Sequence, residues 1–387
     1  MTATKQAHVK EFVLIGGAGA PNYGDELIVH GWIKYLEQKK INSKVYFFEN
    51  IASNMKKLHG AGTAPVELIF KDDLVKIAKN VQKKLTFWEQ VIRGYRFIEK
   101  QGFKIYDEYD LSVFERAESV HLHGGGYLNN YDPEKGFYIG LAAAVNKQFG
   151  TKILATGIGF GPVEAIPARY KSLLSEIFAR FSRFELRDVD NYRALSRGLD
   201  SNCFAYGLDD CYLLQINDIV KPSTDGKRRL FLSFINYNVG KVTEAFWNSL
   251  REYSSQFDEV LFFESYPWED ANVFKQVAPN VPNLRLVPVK DSIPNGIVAG
   301  VNDVVITSRF HVHFVFSRFG CNGVYSKDSK YYDIKHQSIL DRGSNFHYIG
   351  FNEVFNGVFE DANPSYIALN DSLYCEQKRQ LADKFYS

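Results

Sequence analysis

Glu11-Phe12-Val13-Leu14-Ile15 runs into Gly16-Gly17-Ala18-Gly19, and beyond it Leu27, Ile28, Trp32, Tyr35 and Leu36 recur near the helical period from about Asp25 to Lys40. Val45-Tyr46-Phe47-Phe48 follows as a second apolar run. A short apolar run that ends in glycines suits a buried parallel strand entering a tight turn. The order strand, glycine turn, helix, strand is the opening of a βαβ unit.

Working outward, the rhythm returns. Ser119-Val120-His121-Leu122-His123 leads into Gly124-Gly125-Gly126, a helix is expected over Phe137–Phe149, and Lys152–Thr156 leads into Gly157-Ile158-Gly159-Phe160-Gly161-Pro162. Ser182–Arg187 reads as another strand and Val189–Arg197 as a helix. Three strand-to-glycine turns in one half of a parallel sheet would gather at the carboxyl ends of the strands, where ligands bind. Lys221-Pro222-Ser223-Thr224-Asp225-Gly226 reads as a connector, followed by strands at Arg229–Phe234, Glu259–Phe263, Leu284–Val287 and Asp303–Thr307 with an amphipathic helix over Thr243–Gln256. The expected fold is α/β, with two Rossmann-like domains facing a central cleft. The first domain spans 1–218 and carries a helical segment over 71–116. The second spans 219–363, and a terminal helix over 364–387 is expected to pack back on the first.

The 387 residues leave room for two such domains, and 45% hydrophobic with 24% charged residues is a globular composition. Forty-six Lys and Arg against 45 Asp and Glu give a net charge of +1, so no global field draws in nucleic acid. No apolar run approaches bilayer length, and the first residues lack a secretory pattern, so a cytoplasmic protein is expected. Cys203, Cys211, Cys321 and Cys375 are scattered, which predicts buried free thiols and no structural zinc. In the 71–116 segment Lys71, Lys76, Lys79, Lys83, Lys84, Arg93, Arg96, Lys100 and Lys104 alternate with Phe87, Trp88, Tyr95 and Phe97. That pattern reads as a solvated basic face, with peripheral contact at the inner face of the membrane as the alternative.

Four places concentrate groups that packing does not require. Gly16–Glu26 sets a glycine turn before a helix N-terminus, a site for an anion or a sugar hydroxyl or else a plain turn, with Asp25 as the cap. His121 and His123 share one face of a strand; with no third ligand nearby, hydrogen-bonded histidines are favoured over a metal site. Arg187 at a strand end is a fixed cation for a carboxylate or phosphate, or a local partner of Asp188 or Glu185. Asp303-Val304-Val305-Ile306-Thr307-Ser308-Arg309-Phe310-His311 brings a guanidinium and an imidazole to the first turn of a helix, and Lys335 or Lys330 could add a second cation.

Gly17-Ala18-Gly19 with Asn22-Tyr23-Gly24-Asp25-Glu26, then His123-Gly124-Gly125-Gly126, Gly157-Ile158-Gly159, Arg187-Asp188, Ser308-Arg309-Phe310-His311 and Tyr331-Tyr332-Asp333-Ile334-Lys335 together resemble the polysaccharide pyruvyl transferase family from about residue 12 to 345. The resemblance implies a fold similar to the GT-B glycosyltransferases. It also implies transfer of the enolpyruvyl carbons of phosphoenolpyruvate to a sugar of a polysaccharide or of its lipid-linked precursor, usually as a ketal on two hydroxyls. Arg187, Arg309 and Lys335, with Gly125 and Gly126, would then hold the donor, and Lys330 can be aligned in place of Lys335. Asn22, Tyr23 and Glu26 would face the acceptor.

Ketal formation needs a proton for the methylene carbon of the enol phosphate, and His311 is the expected acid, with Asp25 or Glu26 orienting an acceptor hydroxyl. No metal or other cofactor is expected, phosphoenolpyruvate being a co-substrate. The competing readings are a GT-B glycosyltransferase that uses a nucleotide sugar, and a carbohydrate-binding relative without catalysis.

Overall fold

The computed structural model describes residues 9–80, 84–101, 109–327, 329–354 and 365–386. Contacts divide the chain into two units, one of residues 1–20 and 28–211, the other of residues 21–27 and 212–387.

The first unit is built on a parallel sheet of β1 (Lys10–Ile15), β2 (Ser43–Phe48), β3 (Val66–Lys71), β4 (Ser119–Leu122), β5 (Gly125–Leu128), β6 (Lys152–Phe160), β7 (Arg183–Leu186) and β8 (Phe204–Tyr206). Its order is β3-β2-β1-β4-β6-β7-β8, with β5 beside β6. The chain starts in the middle, builds outward to β3 and then crosses back to β4, so β1 and β4 flank a topological switch point. Phe12 to Ile15 are buried on both faces, as a central parallel strand requires. The helix Gly136–Phe149 is buried from Gly136 to Val145 and stops at Gly150, whose left-handed backbone suits a helix end.

The second unit repeats the plan. After β9 (Val220–Pro222), its main sheet consists of β10 (Arg229–Ser233), β11 (Glu259–Phe263), β12 (Leu284–Val287), β14 (Val304–Thr307), β15 (Asn322–Tyr325) and β16 (His347–Tyr348), in the order β12-β11-β10-β14-β15-β16. Every pairing in it is parallel, and the switch point lies between β10 and β14. β13 (Ile297–Ala299) pairs with β9 in a small second sheet.

Several expectations change. Two of the three glycine runs are strand, not turn: β6 continues through Gly157 and Gly159, and Gly125 and Gly126 belong to β5. The reason is what lies beneath them. A Cβ on Gly157, at φ +59°, would come within 2.5 Å of Asp210 Oδ1, and one on Gly159 within 2.7 Å of the Arg187 guanidinium. Glycine lets the strand pass over these buried polar groups, and the register with β7 shifts there.

The connector begins as strand β9, and the contact division falls at Cys211/Tyr212 in place of 218/219. The terminal helix Asp371–Tyr386 groups with the second unit instead of the first domain. Asp371 pairs there at 2.6 Å with the fully buried Arg318, whose guanidinium also donates to the Leu214 carbonyl at 2.8 Å. The boundary expected at 363/364 lies outside the described residues.

The 71–116 segment holds helices Asp73–Lys79, Phe87–Tyr95 and Phe97–Gln101 and a 3-10 turn at Ser112–Glu115. Lys83 and Lys104 lie outside the described residues. Phe87, Trp88, Tyr95 and Phe97 all join the first unit's core. The four cysteines are buried and not joined in disulfides. No helix among the described residues is long and apolar enough to cross a membrane.

Candidate functional site

At the carboxyl end of the second sheet, strands β10, β11 and β14 are stitched together by hydroxyls. Thr307 Oγ1 donates to the Ser233 carbonyl at 2.9 Å, Ser308 Oγ accepts the Ile235 N–H at 2.8 Å, and Ser233 Oγ donates to the Phe263 carbonyl at 2.8 Å. This fixes the turn from which the helix Phe310–Phe319 departs, with Arg309 as its N-cap residue. The Arg309 side chain is 12% exposed. Its guanidinium is anchored on one edge by Asp270, and Glu269 lies 3.7 Å away. Asp270 is itself fixed, accepting the backbone N–H groups of Ser265 at 2.7 Å and Tyr266 at 2.8 Å. Arg309 Nε is buried and meets no hydrogen-bond partner among the described residues. A buried, oriented guanidinium donor without a protein acceptor is suited to a ligand oxygen.

Residues 21–27 group with this same unit. The Tyr23 N–H donates to the Ser265 carbonyl at 2.8 Å, and the Tyr23 ring packs edge-on against Phe263 at 4.8 Å. The helix Tyr23–Lys39 therefore starts against the end of β11. Asn22, not Asp25, closes its first turn, its Oδ1 accepting the Gly24 N–H at 3.1 Å. Gly24 abuts the His311 ring so closely that a side chain there would overlap Nδ1.

Behind the Ser308 turn lies the helix Lys330–Leu340. His336 Nδ1 meets His313 Nδ1 at 2.9 Å, and His313 Nε2 meets Ser344 Oγ at 2.8 Å. Burial pushes the His336 imidazole down to about 3 and that of His313 well below its ordinary value, so the pair stays neutral. On the same helix Lys335 Nζ sits 3.8 Å over the Tyr331 ring, while Lys330 is exposed.

The first unit carries a separate polar cluster at its own switch point. Glu49 takes His123 Nε2 at 2.5 Å and the Ala18 N–H at 2.7 Å. Burial opposes charge on His123, but the Glu49 carboxylate outweighs it and raises the imidazole above its ordinary value. Asp210 Oδ2 accepts from Trp32 Nε1, the Gly124 N–H and Thr156 Oγ1, at 2.7, 2.8 and 2.8 Å. His121 Nε2 meets the same Thr156 hydroxyl at 2.8 Å. Both strand histidines thus hydrogen-bond to protein partners. Lys135, buried and depressed to about 8 by burial, reaches Asn50, whose amide donates to the Gly17 carbonyl at 2.5 Å.

The profile of the polysaccharide pyruvyl transferase family matches residues 22–277, most of the chain. This chain belongs to that family. No curated protein matches the sequence significantly. Solved structures similar to this pyruvyl transferase family member include a putative UDP-N-acetylglucosamine 2-epimerase from Listeria monocytogenes, with 11% identity, 97% of this chain and 98% of that one covered, and a TM-score of 0.51. The UDP-GlcNAc 2-epimerase of Methanocaldococcus jannaschii is 11% identical over 97% of this chain and 100% of that one, TM-score 0.50. At such identity the likeness is one of fold alone, the GT-B type of paired Rossmann-like units.

The residues singled out in the sequence fall into two groups. Asn22, Tyr23, Asp25, Glu26, Arg309, His311 and Lys335 belong to the second unit, and Arg187, Gly125 and Gly126 to the first. Tyr23 and Glu26 are buried. Arg187 pairs with Asp209 at 2.6 Å. Asp188 caps the helix Val189–Gly198. The family match contains Asn22 to Glu26 and Arg187 but ends before Arg309, His311 and Lys335. Sequence reading missed Glu49, Asp210, Lys135 and Asp270, each of which acts through a partner far along the chain. Asp270 alone left a signal: two carboxylates follow Pro267-Trp268 in a first helical turn.

Proposed function

We propose that this family member transfers the enolpyruvyl group of phosphoenolpyruvate to a sugar of a polysaccharide or its lipid-linked precursor, forming a pyruvate ketal and releasing phosphate. The observation that carries the reading is the buried Nε of Arg309, without a hydrogen-bond partner among the described residues, at the N-cap of the helix whose first turn holds His311. Arg309 and the helix N-terminus would take the donor's phosphate or carboxylate, and Lys335 the other anionic group. Arg187 lies in the first unit, where its Nη1 pairs with Asp209. The reading therefore uses the second unit's groups.

In the proposed reaction, protonated His311 gives its proton to C3 of the enol phosphate, converting the methylene to a methyl and leaving C2 as an oxocarbenium-like centre. One sugar hydroxyl attacks C2 and loses its proton. The C2–O bond to phosphate then breaks, phosphate departs with the electron pair, and the second hydroxyl closes the ring. Arg309 and Lys335 stabilise the anionic donor and the leaving phosphate. Asp25, in the first turn of the helix that touches His311, would orient a hydroxyl. The scheme requires no metal or other cofactor.

The test is incubation of purified protein with phosphoenolpyruvate and a panel of lipid-linked and nucleotide-activated sugars, reading free phosphate and acceptor mass. A gain of one pyruvate less one water supports the reading. Nucleotide release without phosphate release from phosphoenolpyruvate would replace it with glycosyl transfer.

A further inference from the structure

We infer that Trp268 and Tyr266 form the shelf on which a sugar ring of the acceptor lies, an inference that rests on the sugar-modifying function proposed above. The chain has four tryptophans. Trp32, Trp88 and Trp247 are buried, whereas Trp268 is 55% exposed. A large aromatic side chain left in water forgoes the burial its type normally contributes, so its exposure asks for an occupant.

Trp268 is also held still. It lies in the first turn of the helix Pro267–Val277, with Pro267 at the helix start. The turn before it is fixed by the Asp270 carboxylate, which accepts both the Ser265 and the Tyr266 N–H groups. The Tyr266 ring stands beside the indole, centroids 5.6 Å apart and planes 55° apart, giving two aromatic faces at an angle.

The position suits an acceptor. Glu269, the next residue, is 44% exposed and its carboxylate lies 3.7 Å from the Arg309 guanidinium. A hydroxyl that attacks the donor must reach it from an adjoining subsite, and the aromatic pair directly precedes Glu269 in the chain. Ring faces carry partial negative charge and attract the C–H face of a pyranose, while a carboxylate accepts hydrogen bonds from its hydroxyls. A nucleotide base could stack equally well, but its phosphates would lie beside the exposed Glu269 carboxylate unless they took the place of the donor on Arg309. Charge therefore favours a neutral sugar.

The experiment measures acrylamide quenching of tryptophan fluorescence in the full chain, with methyl glucoside, methyl galactoside and methyl mannoside at millimolar to high-millimolar concentration, and with uridine monophosphate. At least one hexoside is expected to shield the quenchable emission, and the shielding should vanish in Trp268→Phe. By calorimetry Trp268→Phe should keep hexoside affinity within a few-fold, and Trp268→Ala should lose about tenfold. The inference is overturned if no hexoside shields Trp268, if only uridine monophosphate does, or if the Phe and Ala variants bind hexosides alike. Phosphoenolpyruvate is titrated separately into all three proteins. Failure to bind it anywhere counts against the pyruvyl reading, while the hexoside results still decide the shelf.

Discussion

Gly24, in the first turn of the helix Tyr23–Lys39, lies directly against Nδ1 of His311, in the first turn of the helix Phe310–Phe319. Two motifs nearly the whole chain apart thus meet in one unit, and the contact leaves no room for a methyl group. Alanine is the better helix former by about 1 kcal/mol, so propensity would favour Gly24→Ala. The clash is expected to dominate and push His311 from its place. Turnover should fall by about 100-fold or more, the scale of a lost general acid, while calorimetry shows phosphoenolpyruvate affinity within a few-fold of the parent. Undiminished turnover would separate His311 from the chemistry.

Asp270 spends one carboxylate oxygen on two backbone N–H groups and the other on Arg309. Asp270→Asn removes the charge that aims the guanidinium. The KM for phosphoenolpyruvate should rise by about tenfold or more. Arg309→Lys should weaken the donor as badly as Arg309→Ala, because an ammonium cannot contact Asp270 and a ligand along two edges. Restored affinity in the lysine variant would rule out that geometry.

The Glu49–His123 pair in the first unit sets a pH dependence. His123 has a folded pKa above its unfolded value, so its contribution to stability is complete below the unfolded pKa and is lost as pH rises through the folded one. Glu49→Gln removes the main carboxylate that favours the charged imidazole and should cost about 3–5 kcal/mol near pH 6. In urea unfolding, the gap between parent and variant should narrow at alkaline pH. A gap that widens there would mean that His123 is neutral in the folded chain.

The second unit's histidines act in the opposite sense. His336 and His313 have depressed folded values, so on acidification the unfolded chain gains protons that the folded one refuses. Stability should fall as pH drops below about 6.5, the ordinary histidine value, toward the folded value of His336. Thermal melts between neutral and mildly acidic pH should show this slope, and His336→Gln should flatten it. An equal slope in the variant would assign the acid sensitivity to other groups.

Strands were legible wherever a short apolar run was bounded by turn residues: β11 and β12 match their expected limits, and β10 and β14 differ by one residue at one end. The glycine runs misled because glycine serves two ends. It permits a turn at Gly16–Gly19, yet in β6 it makes space for Asp210 and Arg187 beneath a continuing strand. No local pattern separates these uses. The Ser308–His311 cluster, the candidate site, was legible as a grouping because its residues are neighbours in the chain. Asp210 was not, since its partner Trp32 lies 178 positions away and only the folded sheet brings them together. Trp268 carries no distinguishing mark in the sequence, and only its exposure sets it apart from the other tryptophans.

The most direct measurement of the central claim is the reaction of phosphoenolpyruvate with a sugar acceptor in deuterium oxide, following phosphate and the ketal methyl group by NMR. The account expects one phosphate per ketal and one solvent deuteron in each new methyl group, with both signals lost in His311→Ala. A ketal methyl without solvent deuterium, or full product formation by the His311→Ala protein, would contradict it.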